Sequence, residues 1–152
     1  MKVKDTKSYL LMIRKMHIKM RNKKKPKEWA YYSIEDFILK NGKQMKEGVL
    51  PKGVKRGKMM DCFKNAFELA QEKGYSYCEG YAFSMLHTNH AWCLHDGKVV
   101  DPTWTDGVDY FGVEFPMNTV RKIILKSEHY GILDTPQIGF PLLTGEITLE
   151  DD

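Results

Sequence analysis

Cys62, His90 and Asp101 supply a thiol, an imidazole and a carboxylate in that order along the chain. A thiolate is a strong acyl nucleophile, an imidazole can take and return its proton, and a carboxylate can fix the imidazole's tautomer. The chemistry this points to is cysteine-based acyl transfer. It needs elements that bring the three together.

His90 and Asp101 flank an Asp96-Gly97 pair set between two apolar, β-prone runs, Asn89-His-Ala-Trp-Cys-Leu-His and Lys-Val-Val-Asp-Pro-Thr-Trp104. Asp-Gly tolerates positive φ at both central positions of a two-residue type I′ turn. That turn pairs His95 with Lys98, Leu94 with Val99, Trp92 with Asp101 and His90 with Thr103. Side chains alternate faces along a strand and paired residues share one. His90, Trp92, Leu94, Val99, Asp101 and Thr103 are therefore expected on one face, and Ala91, Cys93, His95 and Val100 on the other. His90 and Asp101 become diagonal neighbours, whereas His95 is turned away from the site.

Asp61-Cys-Phe-Lys-Asn-Ala-Phe-Glu-Leu-Ala-Gln-Glu-Lys-Gly74 is the clearest helical pattern. Phe63, Ala66, Phe67 and Ala70 form an apolar stripe of helical period. Asp61 is expected to cap its start and Gly74 to close its end. Cys62 then lies in the first turn, where unpaired N–H groups and the dipole favour a thiolate and a lowered thiol pKa. Those N–H groups can also hold an oxyanion. The Cys62 N–H is the expected donor; Gln44, Trp29 or a nearby tyrosine are conceivable second donors. Cys93 faces away from His90. Cys78 belongs to Tyr75-Ser-Tyr-Cys-Glu-Gly-Tyr-Ala-Phe83, a strand on which it shares a small-residue face with Gly80 and Ala82.

The segment 56–104 resembles the catalytic core of the transglutaminase-like (papain-like cysteine) superfamily, in which a Cys opens a helix and His and Asp follow on adjacent strands. His90-Ala-Trp92 and Val100-Asp-Pro-Thr-Trp104 are similar to the family's His and Asp motifs. Arg56-Gly57 with Cys62 and Asn65 resembles the arylamine N-acetyltransferase branch, and Tyr110-Phe-Gly-Val-Glu-Phe-Pro116 small bacterial and phage proteins sharing the core. The resemblance implies Cys62 as nucleophile, His90 as general base and Asp101 as its orienting partner. It implies a protein, peptide or small acyl substrate, and no cofactor. Cys78-Glu-Gly-Tyr-Ala82 also resembles a Cys-containing signature of some bacterial members. Only 12 residues separate Cys78 from His90, too few for a helix and a strand.

The remaining elements suggest an α+β fold, an antiparallel sheet from residues 75–84, 90–95, 98–104 and 110–115 against the Cys62 helix. That helix is expected to lay its N-terminus over the face bearing His90. A loose helical pattern covers residues 8–20, and Ser33-Ile-Glu-Asp36 starts a short helix ending near Asn41-Gly42. Residues 43–58 read as loop, Pro116 as the first turn of a helix carrying Val120, Ile123 and Ile124, and residues 130–133 as a short strand or docked turn. Asn22-Lys-Lys-Lys-Pro-Lys27 reads as a flexible link.

A chain of 152 residues, 42% hydrophobic and 29% charged, fits one domain. Within it we expect a basic region 1–58, a catalytic-like core 59–134 and an irregular tail 135–152. Three cysteines without paired spacing argue for a reducing compartment, and no apolar run is long enough for a membrane span or a secretory h-region. A cytoplasmic protein of a bacterium or a phage-infected cell is expected. Residues 1–60 hold 18 Lys and Arg against 5 Asp and Glu, and residues 61–152 hold 6 against 15. The basic half offers an alternative function, binding nucleic acid or an acidic partner with Trp29, Tyr31 and Tyr32 as stacking groups around a catalytically idle core. A zinc site from Cys62, Cys78, His87, His90, Cys93 and His95 is disfavoured, because no Cys-x-x-Cys spacing occurs and the register splits His90 from Cys93 and His95.

Overall fold

The structure, a computed structural model, describes residues 5–20, 25 and 28–149. The run at residues 22–27 expected to be a link lies outside the described residues except for Lys25. The fold is α+β. Helices α1 (Thr6–Met20) and α2 (Ile34–Asn41) lead into strand β1 (Lys43–Met45), and α3 (Cys62–Lys73) precedes the hairpins. Strands β2 (Ser76–Phe83), β3 (His87–His95), β4 (Lys98–Val100) and β5 (Val108–Phe115) follow, then α4 (Met117–Ser127), a 3₁₀ turn over Pro136–Ile138 and the one-turn helix α5 (Pro141–Thr144).

The five strands form one antiparallel sheet in the order β1-β5-β2-β3-β4. The sheet curls until its ends meet: the Val99 N–H donates to Lys46 O at 2.8 Å, tying β4 to the chain just beyond β1. Curling needs strands to approach closely at the bend, and Gly80 and Gly112 face each other there. An added Cβ on Gly112 would stand 2.7 Å from the Glu79 carbonyl oxygen and 2.7 Å from the Trp92 ring. The concave face encloses Trp92, Met45, Cys78, Val99 and Tyr110; the Trp92 Nε1–H reaches Met45 Sδ at 3.2 Å. The convex face carries Tyr77, Ala91, Cys93 and Val113, against which the helices bury Ala66, Ala70, Phe37 and Val120.

Local chemistry explains most elements. Ser33 caps α2 by accepting the Asp36 N–H at 3.1 Å. Gly74 closes α3 in the left-handed region, φ 72°, with its N–H on Ala70 O. Asp61 departs from expectation: its side chain makes no cap, and its carbonyl instead accepts the Asn65 N–H at 2.8 Å. Residues 43–45 form an edge strand rather than loop, because pairing with β5 supplies hydrogen bonds that their polar sequence does not signal. The tail from Thr135 is not wholly irregular. Its 3₁₀ turn and α5 bury Leu142 and Leu143 in the helix-side core.

Replacing Gly112 by Ala should destabilise the fold by about 2 kcal/mol, since a methyl forced against backbone and a buried indole cannot be relieved by a flexible side chain. Urea unfolding of Gly112→Ala beside the unsubstituted protein measures it, and an unchanged midpoint would show that the sheet does not close as described.

Candidate active site

The site grows from the Asp96-Gly97 turn. Both residues have positive φ, 52° and 73°, as a type I′ turn requires. The register is the expected one for His95↔Lys98, Leu94↔Val99 and also Cys93↔Val100. The strand then stops. Trp92 and His90 do not pair with Asp101 and Thr103, because the Asp101 carboxylate folds the chain into a turn, its Oδ1 accepting the Thr103 and Trp104 N–H groups at 2.9 and 3.0 Å.

Asp101 Oδ2 is left for two side chains. It lies 2.8 Å from His90 Nε2 and accepts the Tyr110 hydroxyl at 2.6 Å. Burial alone would raise the Asp101 pKa; the hydrogen bond and charge of His90, the Tyr110 hydroxyl and the Trp104 N–H outweigh it and hold the carboxyl below its ordinary value. The same carboxylate, with burial, pushes the Tyr110 hydroxyl far up, so Tyr110 stays a donor. His90 is 0% exposed, and Trp104 stacks on its ring at 3.6 Å between centroids and 10° between planes. With Nε2 committed to Asp101, His90 Nδ1 is buried and has no hydrogen-bond partner among the described residues.

Cys62 approaches the sheet from a side other than the expected one. Helix α3 does not lie over the face bearing His90. Its Ala66 and Ala70 pack on the opposite face with Ala91, Cys93 and Val100, and the Cys93 thiol donates to Ala66 O at 3.1 Å. The helix start instead meets β3 where β4 has ended. Ala91, one residue from His90, has no β4 partner, and its N–H is among the groups that lower the Cys62 thiol's pKa.

The thiol's pKa is also opposite to expectation. Burial pushes it above the ordinary thiol value, and the Glu79 and Asp101 charges act in the same direction, against the Ala91 and Phe63 N–H groups. A half-buried sulfur loses more solvation as a thiolate than one helix turn returns. Cys62 therefore rests as a neutral thiol.

Glu79 carries no role in the sequence reading, yet its charge is among the influences on the thiol's pKa. A single acidic residue within the apolar β2 was the available signal, since a buried charge is the informative exception in a core. Glu79 is 1% exposed and accepts the Tyr77 hydroxyl at 2.5 Å and the Ile132 and Leu133 N–H groups at 2.7 and 3.3 Å. Burial raises its pKa to about 7 despite these donors. Residues 130–133 are the docked turn, with Ile132 and Leu133 buried.

The other sequence candidates lie elsewhere. Gln44 Nε2 donates to Asp109 at 2.8 Å, and Trp29 packs on Phe140, so neither is a second oxyanion donor at Cys62. Trp29 and Tyr31 are partly buried against the helix-side core. His95 stacks on Tyr75 beside the turn. Among the described residues no group of three or more His, Cys, Asp and Glu is placed to hold a metal ion, and no helix is long and apolar enough to cross a membrane. Comparisons with family models, curated proteins and solved structures give no match to this chain.

Because Glu79 has a raised folded-state pKa, its protonated form favours the fold. That contribution is complete below pH 4.5 and is lost as pH rises to about 7. Unfolding free energy should fall by about 3 kcal/mol across this window. Denaturant titrations of the wild type and Glu79→Gln at several pH values test this, with the variant expected to lose this component.

Proposed function

We propose that the protein is a cysteine enzyme that transfers or hydrolyses an acyl group at an amide, isopeptide or related carbonyl, with Cys62 as nucleophile, His90 as general base and Asp101 as the residue orienting His90. The reading takes the chain to carry a transglutaminase-like, papain-like core. One observation carries it: a buried imidazole tied to a carboxylate through Nε2, its Nδ1 unpartnered, in a chain whose Cys62 opens a helix.

In the first half-reaction Cys62 Sγ bonds to the carbonyl carbon as its proton passes to His90 Nδ1. The carbonyl oxygen becomes an oxyanion, which the Cys62 N–H can stabilise because a first-turn amide has no intrahelical partner. Collapse breaks the carbon–nitrogen bond, and the leaving amine takes the proton from His90. In the second half-reaction water or an amine attacks the thioester, gives its proton to His90, and the thiol is restored as the sulfur departs.

A neutral resting thiol makes base catalysis at the moment of attack more important than a preformed ion pair. Asp101 favours the imidazolium that this step creates, and Trp104 over the ring keeps water from competing for the hydrogen bond. The basic residues of the N-terminal half are available to acidic substrates or partners, and a cytoplasmic location fits three free cysteines.

Acylation by p-nitrophenyl acetate tests the proposal without knowledge of the natural substrate. A burst of nitrophenolate with one acetyl group on Cys62 is expected. Cys62→Ser should abolish it, Asp101→Asn should slow it by roughly 10³-fold or more, and His95→Ala should leave it nearly unchanged. Equal acetylation of the Cys62→Ser protein would end this reading.

A further inference from the structure

Two carboxylates, not one, act on the Cys62 thiol. Asp101 belongs to the pair with His90. Glu79 does not, yet its charge is among the influences that raise the thiol's pKa. Its place follows from the register: Glu79 pairs with Ala91 on β3, whose N–H also bears on the thiol's pKa, and with Val113 on β5. The carboxyl thus stands on the convex face, one strand from the opened edge that receives the start of α3.

The same carboxyl shapes that side of the site. Its oxygens accept the Ile132 and Leu133 N–H groups, fixing residues 131–133. Gly131, at φ 90°, lies so close to α3 that an added Cβ would stand 3.3 Å from the Phe63 ring. Phe63 immediately follows Cys62, so the segment held by Glu79 abuts the first turn of the nucleophile's helix.

We propose that Glu79 is a positioning residue of the Cys62 site: its carboxyl seats residues 131–133 against the helix start, and its charge state sets how readily the thiol ionises. While Glu79 is uncharged the thiol faces only Asp101; when Glu79 is ionised a second, desolvated negative charge opposes the thiolate. The groups around Glu79 are few. Tyr77 on β2 donates to it, its charge bears on Cys62 of α3, Cys93 shares the convex face with its thiol pushed up to about 12 by burial, and Asp134 follows the docked turn; its strand partners Ala91 and Val113 do not titrate. Tyr77 is held protonated by burial and by Glu79 itself, which leaves Glu79 as the group of this cluster that changes charge near neutrality.

This role rests on Cys62 being the nucleophile for its bearing on turnover, but it is measured on the thiol. Iodoacetamide alkylation of Cys62 is followed against pH by peptide mass spectrometry in the wild type and in Glu79→Gln. The variant should titrate at lower pH, with the alkylation rate at pH 8 raised about threefold or more; coincident curves would overturn the proposal and leave the triad standing. Conversely, turnover retained in Cys62→Ser, with the Glu79→Gln shift present, would remove the catalytic reading but not the hold of Glu79 on the thiol. Should the variant not fold, the wild-type Glu79 carboxyl ¹³C resonance decides. A second inflection at the pH of thiol ionisation, lost in Cys62→Ser, supports the coupling, and a single inflection indifferent to Cys62 refutes it.

Discussion

A carboxylate in a protein interior must be met by donors or give up its charge. Asp101, 8% exposed, is met on both oxygens: two backbone N–H groups hold Oδ1, and His90 with Tyr110 hold Oδ2. Much of the site follows from this. Collecting the Thr103 and Trp104 N–H groups turns the chain away from β3 and ends β4 at Val100. Ending β4 leaves Ala91 without a cross-strand partner on that side. The turn also carries Trp104 back onto the His90 ring, while the Nε2 contact leaves Nδ1 free.

The curl of the sheet gives this interaction its setting. Tyr110 can reach Asp101 because the last and first strands are drawn together, with Gly80 and Gly112 allowing the bend and Trp92 filling it. The concave interior holds the imidazole and its carboxylate, and the convex face receives α3. Cys62 opens the helix that packs on that convex side. Glu79 lies on the same convex face, so carboxylates from both faces of the sheet bear on the thiol's pKa.

The hairpin was legible because turn chemistry and alternation are local. Asp96-Gly97 specifies a type I′ turn, and the turn fixes which residues share a face. The helix beginning at Cys62, the cap at Ser33 and the left-handed Gly74 were legible for the same reason. Reasoning failed where a long-range contact intervened. The pattern of β4 continues to Thr103, but Asp101 prefers donors of its own. Polar residues 43–45 become a strand only because β5 offers an edge. The face on which α3 docks cannot be read from α3, since its apolar stripe would suit either side of a sheet.

By itself the sequence determined the identities and order of the reactive groups, the hairpin register, the helix start at the thiol and the α+β class, since each depends on neighbours within a few residues. Only the tertiary structure decided the side on which α3 packs, the opened edge at Ala91, the fourth hydrogen bond on Asp101, from Tyr110, and the second carboxylate at Glu79. It also decided that the thiol rests protonated. Solvation and charge are sums over everything nearby in space, and a linear pattern records only what is nearby along the chain.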